Sequence, residues 1–182
     1  MSMYPIATKT FADTSSGRML FSSIPQGYDH LQLRVMARSN YSTGTYDWLY
    51  MFEFNGLGAG SFTNHLLYGD GASVYNGGGT ATAYSAFLGY IPNANVTTNR
   101  FGLCIVDILD YSSTTKAKNI KSVFGFDANG SGQVGHSSNV SPTVIGTNAI
   151  TSLTVGVSSP QTFAAGTKME LYAYSGAPVS GL

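Results

Sequence analysis

A chain of 182 residues is long enough for one domain with a sizeable core and short for two. Hydrophobic residues reach 43% but charged ones only 10%, far below the usual ~25% of a soluble domain, a composition suited to contact with other protein rather than to a free cytosolic enzyme. Nine basic residues cancel nine acidic ones, so a phosphate-neutralising patch is not expected, nucleic acid is set aside as a partner, and little charge repulsion keeps copies of the chain apart.

In chain order, "MSMYPIATKTF" carries neither a charged leader nor an apolar run, so no signal peptide is expected. Strand candidates begin at 6–11 and 18–24. In "DHLQLRVMARS", Leu31, Leu33, Val35 and Ala37 alternate with Gln32, Arg34, Met36 and Arg38, the period-two pattern of a half-buried strand. In "YDWLYMFEF", Tyr46, Trp48, Tyr50, Phe52 and Phe54 oppose Asp47, Leu49, Met51 and Glu53; apolar on both faces, this strand is expected mid-sheet or against a neighbour. Further candidates are 61–69, 80–91, 100–111, 119–127, a short piece from Gln133 to His136, 149–157 and 169–174. Between them lie turn signals rich in Gly, Pro, Asn and Ser, among them "NGLGAG", "GDGASVYNGGG" and "IPNANVTTN".

No segment holds a helical period behind a capping box. The expected fold is all-β: a single antiparallel β-sandwich domain over 1–182, jelly-roll-like, with about ten strands and essentially no helix. The apolar stretches fall far short of the ~20 residues of a membrane helix, so no membrane is expected.

The chemistry-bearing residues are sparse. Cys104 stands alone in "FGLCIVDIL", so no intrachain disulfide can form and a buried, inert thiol is expected. "DANGSG" (127–132) opens like a calcium loop, but the twelfth position is Ser138 where a bidentate carboxylate is required. A hairpin tip with cheap φ > 0 at Asn and Gly is the better reading, and no metal is expected. Asp107 and Asp110 fall on opposite faces of a strand, with Asp110 in the following turn. Glu53, between Phe52 and Phe54, reads as a carboxylate facing water or paired with an Arg across the sheet. His30, His65 and His136 are scattered; His65 could face Asp70, but no nucleophile with both partners can be named. No catalytic residues and no cofactor are expected, so the chain is not read as an enzyme.

Several stretches in order are similar to a family of small virion proteins of tailed bacteriophages. They are "FSSIPQGYDHLQLRVMAR", "FEFNG", "NHLLYGDG", "VDILDYSSTTKAKNIKSVFGFDANGSG" and a closing "MELYAYSG". The departures are the "YNGGGT" insert and the ending "YAYSGAPVSGL". The resemblance implies a jelly-roll or β-sandwich virion protein without enzymatic activity, made in the host cytoplasm. Its implied role is capsid decoration or cement, as a homotrimer bound to the major capsid protein or other virion proteins. The alternative it leaves open is a tail-fibre domain that binds a receptor or carbohydrate. Tyrosine buries area at low entropic cost and keeps a hydroxyl for hydrogen bonding. Tyr41, Tyr46, Tyr75 and Tyr84, near the glycine-rich loops, are therefore the candidate interface residues.

The hairpin reading of "DANGSG" has a direct check. A metal held only by the folded chain, at a hundred times its Kd, would add ~2.7 kcal/mol and raise the melting temperature by several degrees. Neither EDTA nor Ca²⁺ is expected to move it, and Gly130→Val or Gly132→Val should destabilise more than Asp127→Asn in the same thermal melt.

Overall fold

Leu31, Leu33, Val35 and Ala37 are all fully buried, while Arg34 and Met36 between them are exposed. The alternation read from the sequence thus places one face of this strand on a core. The computed structural model describes residues 3–58, 62–81, 85–128, 132–141 and 146–175. Among them are thirteen strands and no helix. The first seven are β1 (Met3–Thr10), β2 (Arg18–Phe21), β3 (His30–Ala37), β4 (Tyr46–Phe54), β5 (Leu57–Gly58), β6 (Phe62–Gly69) and β7 (Val74–Ala81). The rest are β8 (Ala86–Pro92), β9 (Gly102–Leu109), β10 (Lys118–Asp127), β11 (Gly132–Ser141), β12 (Leu153–Gly156) and β13 (Lys168–Tyr174).

Every pairing is antiparallel. One sheet runs β1-β13-β3-β9-β10-β11-β6-β7, and the other runs β2-β12-β4-β5 with β8 also on β4. Eight strands make the jelly roll. Taking β1, β2, β3, β4, β8, β9, β12 and β13 as first to eighth, the orders are 1-8-3-6 and 2-7-4-5, which is a ribbon of hairpins wrapped into two facing sheets. Two hairpins, β10–β11 and β6–β7, then continue the first sheet past β9 as a wing.

The strand count exceeds the expected ten, partly through the two-residue β5. The larger difference is at "VYNGGGTA". Its glycines read as a turn, yet it forms β7, the outermost strand, because an edge needs no side-chain packing and the ladder to β6 is backbone alone. The strand expected at Gln133–His136 runs on to Ser141, paired with β10 on one side and β6 on the other. In β4 a bulge opposite Thr154 and Val155 turns Phe54 inward, to full burial, away from the aromatic face predicted for it. The core-facing residues of β4 are otherwise Asp47, Leu49 and Met51.

The sheets meet over one cluster that includes Leu33, Val35, Val106 and Ile108 from the large sheet, and Phe21, Leu49, Met51 and Leu153 from the small one. β8 crosses closest to the wing. Its Leu88 carbonyl accepts from Ser122 Oγ at 2.5 Å and from the Cys104 thiol at 3.6 Å. Gly89, at φ 154°, leaves its α-carbon bare against the Phe124 side chain, and a Cβ there would come within 2.4 Å of Phe124 Cγ. Gly89→Ala is therefore expected to cost ~3 kcal/mol, as overpacking plus backbone strain, read as a lowered midpoint in urea unfolding.

Candidate functional site

The outer face of the large sheet follows from its register. Met36 lies opposite Leu103, Leu103 opposite Gly125, Gly125 opposite Val134, Val134 opposite Gly69 and Gly69 opposite Val74. The neighbouring row holds Arg34, Ile105, Val123, His136, Leu67 and Asn76. The rows interlock: Val123 stands beside the bare Gly125, and Leu67 beside Gly69. Met36, Leu103, Val123, Val134, Leu67 and Val74 are each 42 to 76% exposed. Six strands at ~4.8 Å spacing make this aliphatic band about 24 Å long. A polar row of Gln32, Asp107, Lys121 and His65 follows it on one side, and Lys168, Glu170 and Arg34 close its β13 end. A continuous apolar patch rimmed by polar groups marks an interaction surface.

A second feature lies on the other sheet. A cleft of about 270 Å³ is lined by Tyr41, Thr43, Gly44, Tyr46, Asp47, Trp48, Ser158 and Gln161. Its walls are tied down from behind. Arg38, almost fully buried, donates from Nη1 to the carbonyls of Thr97 (2.9 Å) and Arg100 (3.3 Å) and from Nη2 to those of Ala94 (3.1 Å) and Val96 (2.7 Å). The segment so held reaches the cleft: Asn93 Nδ2 donates to Thr43 O and Tyr46 O, and Asn95 Nδ2 to Ser42 O and Gly44 O. On the far wall Asn40 N–H donates to Thr162 O, and Thr162 N–H to Asn40 Oδ1.

Asp47 is 5% exposed. Its Oδ1 accepts from Trp48 N–H at 2.7 Å, while among the described residues no donor reaches its Oδ2. Burial raises its pKa, outweighing the hydrogen bonds from Ser39 and Trp48 that lower it. Tyr50 beside it is pushed up to about 12, by burial first and the Asp47 charge second.

The four candidate tyrosines do not form one site. Tyr41 and Tyr46 meet in the cleft. Tyr75 lies on the wing, stacked on Tyr68 at 4.9 Å and donating to Asp70 Oδ2 at 3.0 Å. Tyr84 lies outside the described residues. Sequence reasoning missed Trp48, Asp47 and Gln161 in the cleft and the whole aliphatic band. The band did carry a signal, since Leu103, Ile105 and Leu109 make β9 apolar on its second face as well.

The other singled-out residues have ordinary partners. Cys104 is fully buried and its thiol pKa is raised by burial. β10 and β11 pair as far as Asp127 opposite Gly132, which makes "DANGSG" the hairpin tip; Asn129, Gly130 and Ser131 lie outside the described residues. Asp127 pairs with Arg100 Nη1 at 3.2 Å. A Cβ at Gly132 would strike the Phe126 carbonyl, so this glycine is required by a close approach of backbone. Glu53 accepts from Thr154 Oγ1 at 3.0 Å, and its charge acts on Arg18, whose guanidinium covers the Phe52 ring at 3.1 Å. Asp110 sits in the turn after β9 and binds Lys116 at 3.0 Å; Asp107 accepts from Gln32 Nε2 at 2.9 Å on the sheet face. Asp70 caps its own turn through Ala72 and Ser73 N–H and bonds Tyr75. Lys118, one of the three clustered lysines, is fully buried, with Nζ donating to the carbonyls of Asp110, Ser113, Lys116 and Thr147. Among the described residues no three His, Cys, Asp or Glu come together to hold a metal.

Compared with family models, curated proteins and solved structures, the chain matches none of them.

Asp47 makes a pH prediction. Between its ordinary pKa near ~3.9 and its raised native value, the native chain holds a proton that the unfolded chain has lost, so stability falls as pH rises through that window. Asp47→Asn carries no such proton. As the pH is raised from about 4, the urea midpoint of the unaltered protein should therefore drop relative to that of the variant.

Proposed function

We propose that this chain is a bacteriophage virion structural protein that decorates the capsid and cements it by protein–protein contact. The observation that carries the reading is the aliphatic band on the outer face of the large sheet, paired with a charge too low and too balanced to recognise phosphate. The occupant suited to it is a neighbouring virion protein with an uncharged surface, foremost the major capsid protein.

Magnitudes favour assembly in several copies. Burying a whole aliphatic side chain contributes ~1.5–3 kcal/mol, and the six exposed members of the band have about half of that still to gain, roughly 5–9 kcal/mol in all. Association itself costs ~4–15 kcal/mol, so one band alone holds weakly. A homotrimer turns the second and third contacts into intramolecular ones and multiplies the affinity.

The test is cosedimentation with heads purified from particles that lack this protein. The unaltered chain is expected to bind, and Leu103→Lys with Val123→Lys to lower the affinity at least tenfold. Both side chains are half exposed, so the melting temperature should hold. Failure of the unaltered chain to bind heads, or equal binding by the double variant, would overturn the reading.

A further inference from the structure

The strands at the two margins of the large sheet are not alike. β1 carries Pro5, a register shift beside it and Lys9, features that keep a further strand away. β7 (VYNGGGTA) carries neither proline nor charge. It is exposed from Val74 to Gly78, and among the described residues no strand pairs with its far side. Asp70 N–H donates to Ser73 O at 3.2 Å across the turn that leads into it. From that closing pair, antiparallel alternation gives the main chain of Tyr75 and Gly77 to β6. It turns the N–H and C=O of Val74, Asn76 and Gly78 outward. Such a row of main-chain donors and acceptors is matched by another extended strand.

We infer that β7 pairs antiparallel with β7 of a second copy of this chain, continuing the large sheet across a twofold axis. An uncharged strand meets its own copy without repulsion, and the net charge of the whole chain is zero. With Asn76 opposite Asn76 at the axis, Val74 of each copy falls beside Gly78 of the other, and every outward residue from Val74 to Gly78 is paired. A Cβ on Gly77 would meet nothing within 4 Å, so this stretch has open space around it and no side chain to hold a neighbour off. Val74, 76% exposed, is where the aliphatic band ends. Across the axis the band would meet its own copy, with Val74 beside a bare glycine as Val123 is beside Gly125. The edge is held in place before pairing. Tyr75 stacks on Tyr68 at 4.9 Å and donates to Asp70, whose carboxylate also accepts from Ala72 and Ser73 N–H. Because β1 is blocked, the contact is isologous and closes at two copies instead of running on into a fibre. The pairing does not depend on what the band docks against.

The test is sedimentation velocity of the full chain from about 1 to about 300 μM, where a contact of one strand per copy should register. The mass should rise from one copy toward two. Asn76→Pro removes an outward N–H and leaves the bonds to β6, so it should weaken the pairing at least tenfold while the melting temperature holds. Asn76→Lys sets like charges face to face at the axis and should do the same, which keeps the test open should proline disturb the strand. Amide exchange at Val74, Asn76 and Gly78 should slow at high concentration in the unaltered chain and not in Asn76→Lys. Leu103→Lys with Val123→Lys should leave the dimer intact, so loss of head binding and loss of this pairing are told apart. A single copy throughout, a species of three copies only, a dimer indifferent to both Asn76 variants, or one lost with the band variant would each overturn the inference.

Discussion

The end of the sandwich that carries the cleft depends on one buried guanidinium. Arg38 follows directly on a strand whose inner residues are fully buried, and it spends its charge on four main-chain carbonyls of residues 94 to 100. Burial depresses its pKa, but the ordinary value is so high that the group stays charged. Carbonyl dipoles do not titrate. The lock therefore holds at any pH the fold survives, which an ion pair with a carboxylate would not do. From it the order passes outward through Asn93 and Asn95 to residues 42–46.

A second constraint is the unequal width of the two sheets. Eight strands face five, so the wing made by β10, β11, β6 and β7 extends beyond the part of the sandwich that the small sheet covers. β8 bridges onto it, with Phe87 and Tyr90 meeting Phe124 at 6.1 and 5.5 Å and Tyr68 meeting Tyr90 at 5.1 Å. Farther out, β7 is exposed from Val74 to Gly78. The two edges of the large sheet also differ. β1 carries Pro5, a register shift beside it and Lys9, devices that discourage a further strand, whereas β7 has neither proline nor charge.

Where one face was apolar and the other polar, the strand could be read residue by residue, as in Leu31 to Ala37. β4 was harder, because both faces are apolar and a bulge moved Phe54 across. β7 escaped because glycine signals turns, and nothing local tells an edge ladder from a loop. Lys118 looked like part of a surface cluster; only the turn wrapped around it, with the Thr147 carbonyl, makes it an interior cation. The cleft was half legible: Tyr41 and Tyr46 stood out as aromatics near glycines, but Ser158 and Gln161 reach them only through the jelly-roll wrapping. Tyr75 belonged to the wing instead. The band was not read at all, since it is built from one or two residues on each of six strands.

The place of β13 between β1 and β3 bears on how the protein is made. Its seven residues supply the partner for both neighbours, so β1 has no hydrogen-bonded mate until Lys168–Tyr174 has left the ribosome. β12, which joins β2 to β4, also comes late. Until then the nascent chain can pair β4 with β5 and β8, β6 with β7 and β11, and β9 with β3 and β10, but neither β1 nor β2 has a strand to pair with. Folding dominated by such distant pairings is slow, and it leaves Val, Leu and Ile strands uncovered while it waits. The low charge offers the unfinished chain little electrostatic protection against association while those strands wait for their partners.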